Sequence, residues 1–139
     1  MNATATTLTA IRQSLADCKT IAVVGLSPKP HRDSFRVAKY MQDHGFRIVP
    51  INPNAPEVLG EKAYASLTEA AQHERIDMVN CFRNSEDIPP IAAEAIAIGA
   101  KSLWLQIGVV NDTAAKQATD AGLVVVQNLC LMVEHRQLG

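Results

Sequence analysis

The chain has 139 residues, room for one domain and too few for two at the usual size of about 100–200 residues each. Hydrophobic residues make up 47% and charged residues 19%, which excludes intrinsic disorder. Lys and Arg total 13 against 14 Asp and Glu, so the net charge of −1 lacks the basic surplus of a general nucleic-acid binder.

From the amino terminus, Leu8, Ile11 and Leu15 stripe a helix within residues 1–19, expected to pack on the chain's own sheet. Thr20-Ile21-Ala22-Val23-Val24-Gly25 is an apolar run ending in glycine, as in a strand buried on both faces. Residues 34–45 follow with Val37, Tyr40, Met41 and His44 at helical spacing, and Gly45 suits the position after the helix. Arg47 to Asn52 forms a second strand. A Pro/Asn-rich connection, 53–60, leads to a short helix near 66–73. Asp77 to Phe82 is a third strand. Ile88, Ile91, Ala92, Ala95 and Ile96 share one helical face and close on Gly99. Ser102 to Gln106 is a fourth strand, 114–121 a helix, Leu123 to Gln127 a fifth strand, and a last helix starts near Leu129.

Apolar strands alternating with helices specify an α/β fold, a doubly wound five-stranded parallel sheet. The order 3-2-1-4-5 is expected in preference to 2-1-3-4-5, and residues 1–139 are expected to form a single domain. In either order ligands bind beyond the carboxyl ends of the strands, where the winding reverses. Three scattered cysteines, none in a C-x-x-C pair, do not make a disulfide framework. Met1 to Thr4 lead into a polar segment without a basic region and apolar run, so no secretory leader is expected and the compartment reads as cytoplasmic. No apolar stretch reaches the roughly 20 residues needed to cross a bilayer.

The strand-end loops carry the candidate chemistry. Gly25-Leu26-Ser27 has only the first glycine of G-x-G-x-x-G, and Asn52 stands where a nicotinamide dinucleotide site wants an acid for the ribose diol. Ser27 and the helix start at Ser34 still suit an anion. From Lys29 to Arg47 five Lys/Arg face two Asp, a local +3 against −4 for the rest of the chain. That segregation fits a small polyanion, and equally a solvated helix face. Pro50-Ile51-Asn52-Pro53 makes a stiff ledge suited to an adenine ring, or a plain rigid turn. Phe82-Arg83 and Gln106-Ile107-Gly108 complete the strand ends. No G-x-S-x-G, Walker A or H-E-x-x-H motif is present, and the four histidines have no metal-ligand spacing. Cys130, near the start of the last helix, is the most reactive-looking side chain.

Taken in order, Gly25-Leu26-Ser27, Ser34-Phe35-Arg36-Val37-Ala38, Pro50-Ile51-Asn52-Pro53, Leu59-Gly60, Asp77-Met78-Val79, Phe82-Arg83, Trp104 to Val109 and Asn128-Leu129-Cys130 resemble a known family. They are similar to the small single-domain CoA-binding proteins, related in fold to the CoA-binding domain of the succinyl-CoA synthetase α-subunit. The resemblance runs from about Thr20 to Leu138. It implies a Rossmann-like domain that holds coenzyme A, free or acylated, by its nucleotide half. Gly25, Ser27 and the Ser34 helix start would face the phosphates, with charge from Arg36 and Lys39. Asn52 and Pro53 would flank the adenosine opposite Phe82 and Arg83, and Gln106 and Gly108 would lie along the pantetheine arm. Family members commonly carry Met-Asp-Arg-Cys where this chain has Gln127-Asn128-Leu129-Cys130. The resemblance implies a non-catalytic carrier or sensor of CoA, with no metal, nucleic acid or membrane as partner. The alternatives are an NAD(P)-linked oxidoreductase domain and a regulatory interaction domain with a vestigial nucleotide site.

Overall fold

The computed structural model describes residues 5–138. Its elements are α1 (Ala5–Asp17), β1 (Thr20–Val24), α2 (Asp33–Asp43), β2 (Arg47–Ile51), β3 (Glu57–Val58), β4 (Glu61–Lys62) and α3 (Leu67–Ala71). They continue with β5 (Met78–Cys81), α4 (Ile88–Ala97), β6 (Ser102–Leu105), α5 (Asp112–Asp120), β7 (Val124–Val126) and α6 (Leu131–Leu138). Among the described residues no helix is long and apolar enough to cross a membrane.

Five parallel strands form the main sheet in the order β2-β1-β5-β6-β7. Alternate residues of each strand point to opposite faces, and both faces are covered. Ala22, Val24, Val79, Cys81, Leu103 and Leu105 pack under α3, α4 and α5. Ile21, Val23, Ile48, Met78, Trp104 and Val126 pack under α1, α2 and α6. Trp104 is wholly buried and its indole N–H donates to the Leu129 carbonyl at 2.8 Å. In α1, Ile11 is wholly buried and Leu15 packs on the same cluster, while the Ser14 and Ser102 hydroxyls bond at 2.8 Å.

The expected strand order needs correction. In strand-by-strand terms the sheet runs 2-1-3-4-5, with the second strand at the edge rather than inside. Pro50 is the physical reason. Ile51 faces β1, its carbonyl accepting from the Gly25 N–H at 3.0 Å, so Pro50 faces outward. A proline there removes a ladder donor, which an edge strand tolerates and an inner strand does not. That outer edge is met by a single bridge: Tyr64 N–H donates to the Pro50 carbonyl at 3.0 Å and Asn52 N–H to the Tyr64 carbonyl at 2.9 Å. Within the Pro/Asn-rich connection and just beyond it, where the sequence predicts no strand, β3 and β4 form a small hairpin. Its turn places Leu59 at φ 56 and Gly60 at φ 76.

At the amino end of the sheet, Asp77 is a buried hub. Its carboxylate accepts from the Lys19 and Thr20 N–H groups at 2.9 and 3.1 Å and lies 3.9 Å from both Arg75 and Lys101. Burial opposes its ionisation, but those two N–H groups and two cations outweigh burial and hold its pKa below the usual carboxylate value. A depressed native pKa adds stability above the unfolded value of about 4, lost as pH falls through the native value. Urea midpoints of wild type and Asp77→Asn should therefore differ most at neutral pH and converge in acid. A gap constant from pH 7 to pH 2 would refute this.

Candidate functional site

The chain leaves β1 toward β2 through α2 on one face of the sheet, and leaves β5 toward β6 through α4 on the other. The loops after β1 and β5 diverge there, opening a crevice at the carboxyl edge. Gly25 sits at the junction with φ +85, and a Cβ built on it would lie 2.7 Å from the Phe82 carbonyl oxygen. The two loops touch backbone to backbone at this point. Only glycine fits.

A cavity lies on each face beside that contact. The first, about 580 Å³, is lined by Gly25 and Ser27, by Asn52-Pro53-Asn54, by Ser66, and by Arg83, Glu86, Asp87, Pro90, Ile91 and Glu94. The second, about 240 Å³, is lined by Asp33, Arg36 and Val37, by Phe82, by Gln106 and Ile107, and by Cys130, Met132 and Val133. Neighbours Phe82 and Arg83 thus serve different cavities.

Of the residues expected from sequence, Gly25, Ser27, Asn52, Pro53 and Arg83 come together in the first cavity, and Arg36, Phe82 and Gln106 in the second. Ser34, Lys39 and Gly108 line neither. Ser34 is buried and its hydroxyl accepts the Ser27 N–H at 3.0 Å, shaping the loop. Lys39 pairs with Asp43 one turn along α2 at 3.0 Å. Gly108 N–H donates to Asn128 Oδ1 at 2.7 Å, so Asn128 (φ 60) anchors the loop after β6. Sequence reasoning missed the first turn of α4 as a wall of the first cavity and Met132-Val133 as a wall of the second. The signal for the α4 wall was position: a helix that starts just after a strand end turns its first residues toward the crevice.

The polar groups divide between braces and free donors. Asn52 Nδ2 donates to the Leu26 carbonyl at 2.9 Å and its Oδ1 accepts from Asn54 N–H at 2.8 Å, so the carboxamide braces the two loops. Ser27 Oγ accepts from Lys29 N–H at 3.1 Å, leaving its own proton to donate. No side chain caps α2, whose N-cap position holds Arg32, so its first turn offers N–H groups to an anion. Among the residues lining the first cavity Arg83 is the one cation, 3.7 Å from Asp87 across an exposed pair. Glu94 is held by the Thr68 N–H and hydroxyl at 3.0 and 2.8 Å. The first cavity therefore carries three carboxylates, Glu86, Asp87 and Glu94, against one guanidinium. In the second cavity Arg36 is engaged by the Asp33 carboxylate and the His31 carbonyl. Gln106 Oε1 accepts from Asn80 Nδ2 at 3.1 Å and from Leu131 N–H at 2.9 Å.

All three cysteines are buried, Cys18 and Cys81 wholly and Cys130 at 8% exposure. Burial pushes the Cys81 thiol up to about 12, and burial with the Asp77 charge does the same to Cys18. Cys130 holds the position before α6, its carbonyl accepting from Glu134 N–H at 3.0 Å, and lines the second cavity. Alkylation with iodoacetamide at pH 8 should modify Cys130 and spare the other two, read by peptide mass. Equal labelling of all three would refute the assignment. Among the described residues no three His, Cys, Asp or Glu cluster as a metal site.

A model of the CoA binding domain family matches residues 19–136. The uncharacterized Bacillus subtilis (strain 168) protein YneT is 44% identical over 125 residues, 90% of this chain and 91% of that one. The solved structure of a hypothetical protein from Pyrococcus horikoshii OT3 is 40% identical, with a TM-score of 0.90 over 100% of both chains. The ADP-forming acetate–CoA ligase II of Archaeoglobus fulgidus is 29% identical over 85 residues, which are 60% of this chain and 12% of the ligase. With a family match that spans all seven strands and both cavities, the chain belongs to the CoA binding domain family.

Proposed function

We propose that the protein binds coenzyme A, free or acylated, through its nucleotide half and acts as a single-domain, non-catalytic carrier or sensor in the cytoplasm. The observation that carries this reading is the Gly25–Phe82 backbone contact with a cavity on each side. A ligand with an adenosine at one end and a flexible arm at the other can cross that point close to the backbone. The adenosine occupies the first cavity beside Asn52 and Pro53, where its exocyclic amine meets the carboxylates of Glu86 or Glu94. The phosphates cross Gly25 and Ser27 toward the uncapped start of α2, within reach of Arg83. The arm runs toward Phe82, Gln106 and the loop at Gly108.

A nicotinamide dinucleotide is disfavoured by the bracing role of Asn52. Its carboxamide is drawn to Leu26 and Asn54, and it lacks the carboxylate that holds a ribose diol in such sites. Calorimetric titration with CoA, NAD and NADP tests the reading. Saturable binding of CoA alone is expected. Binding of NAD alone would replace it with the oxidoreductase reading, and no binding by any of the three with an interaction domain.

A further inference from the structure

We propose that the second cavity receives a short aliphatic acyl group carried on the CoA thiol, so that the preferred ligand is a short-chain acyl-CoA rather than free CoA; this rests on the CoA reading above. The Gln106 carbonyl oxygen and the Arg36 guanidinium in it are already engaged within the protein. Gln106 gives its oxygen to Asn80 and to the start of α6, and Arg36 is held by Asp33 and the His31 carbonyl. What remains toward the open space is mainly apolar: Val37, Phe82, Ile107, Met132 and Val133, together with the Cys130 thiol. Ile107 at the rim is 69% exposed, an aliphatic side chain left without cover in the free protein. A bare thiol would leave that surface wet.

Position and size narrow the occupant. Phe82 and Arg83 link the two cavities across the Gly25 contact, so an arm anchored in the first cavity reaches the second without leaving the protein surface. An apolar cavity of about 150 Å³ holds a benzene ring. At about 240 Å³ this one suits a group of roughly four to six carbons and not a long fatty chain.

Calorimetry with CoA, acetyl-CoA, butyryl-CoA, hexanoyl-CoA and decanoyl-CoA tests the proposal. Each methylene buried should tighten binding about fourfold, so butyryl-CoA should exceed acetyl-CoA by about fifteenfold, with no further gain at decanoyl. Ile107→Ser strips the rim at an exposed position, and Val133→Trp fills the cavity from α6. Both should bring the butyryl-CoA to CoA affinity ratio toward one. Equal affinity for CoA and butyryl-CoA in wild type would overturn the acyl site and leave the CoA reading standing. Failure of every ligand to bind would overturn both. A wild-type preference untouched by either substitution would put the acyl group elsewhere, and that also overturns the proposal.

Discussion

Gly25→Ala is expected to lower stability by about 2–4 kcal/mol and to abolish CoA binding, a larger loss than any other single methyl group should cause. Two effects add. Gly25 has φ +85, a region that costs a side-chain-bearing residue about 1–3 kcal/mol. The new Cβ would also lie 2.7 Å from the Phe82 carbonyl oxygen and 3.1 Å from Arg83 Cδ. The arginine can swing away, but the Phe82 backbone is fixed by its N–H donating to the Val24 carbonyl at 2.9 Å. The loops must therefore separate at the point the ligand crosses. Gly122→Ala is the control, because Gly122 has φ +96 and nothing within 4 Å of its Cβ position. It should cost about 1–2 kcal/mol from conformation alone. Urea midpoints give the comparison. Equal losses in the two variants would mean that the loops absorb the contact, and CoA binding retained by Gly25→Ala would remove the ligand from this crossing.

Periodicity made the five main strands and their intervening helices legible, because a doubly covered parallel sheet needs apolar runs and amphipathic helices in alternation. Strand order was legible too, in one residue. Pro50 in the middle of the second strand requires an edge, and reading it only as a stiffener for the following turn led to the wrong order. The β3–β4 hairpin was not legible by turn chemistry. Its tight turn puts Leu59 at positive φ, where Asn or Gly is the usual signal, and the Gln42 Nε2 bond to the Leu59 carbonyl at 3.1 Å holds it there. At the site, residue type located the loops but not the direction of side chains. Lys39 and Arg36 lie on the same basic helix, yet Lys39 turns to Asp43 and only Arg36 reaches a cavity. Arg83, which the family resemblance set opposite the adenosine, is the cation that the first cavity has to offer.

Arg83→Ala should therefore weaken CoA binding by roughly tenfold to a hundredfold, and Arg36→Ala by less. A charge-assisted bond from guanidinium to phosphate is worth about 1.5–3 kcal/mol, and each 1.4 kcal/mol is about tenfold in affinity. Arg83 is held in the free protein only by Asp87 at 3.7 Å, an exposed pair of small worth that a phosphate can replace. Arg36 is engaged by both Asp33 and the His31 carbonyl, and lines the cavity away from Asn52 and Pro53. CoA and dephospho-CoA differ by the 3′-phosphate on the ribose, which hangs beside the adenosine and hence on the Arg83 side. Thermal melts of wild type, Arg83→Ala and Arg36→Ala with each ligand at equal concentration separate the two arginines. Ligand at about 100 times its dissociation constant stabilises the fold by roughly 2.7 kcal/mol, a shift of several degrees. Wild type should prefer CoA, Arg83→Ala should lose most of that preference, and Arg36→Ala should keep it. Neither variant should change its unliganded melting temperature by more than about 0.5 kcal/mol in equivalent stability, since both side chains are exposed. A preference lost in Arg36→Ala and kept in Arg83→Ala would carry the 3′-phosphate across the Gly25 contact to the second cavity, and would reverse the orientation of the ligand in the cleft.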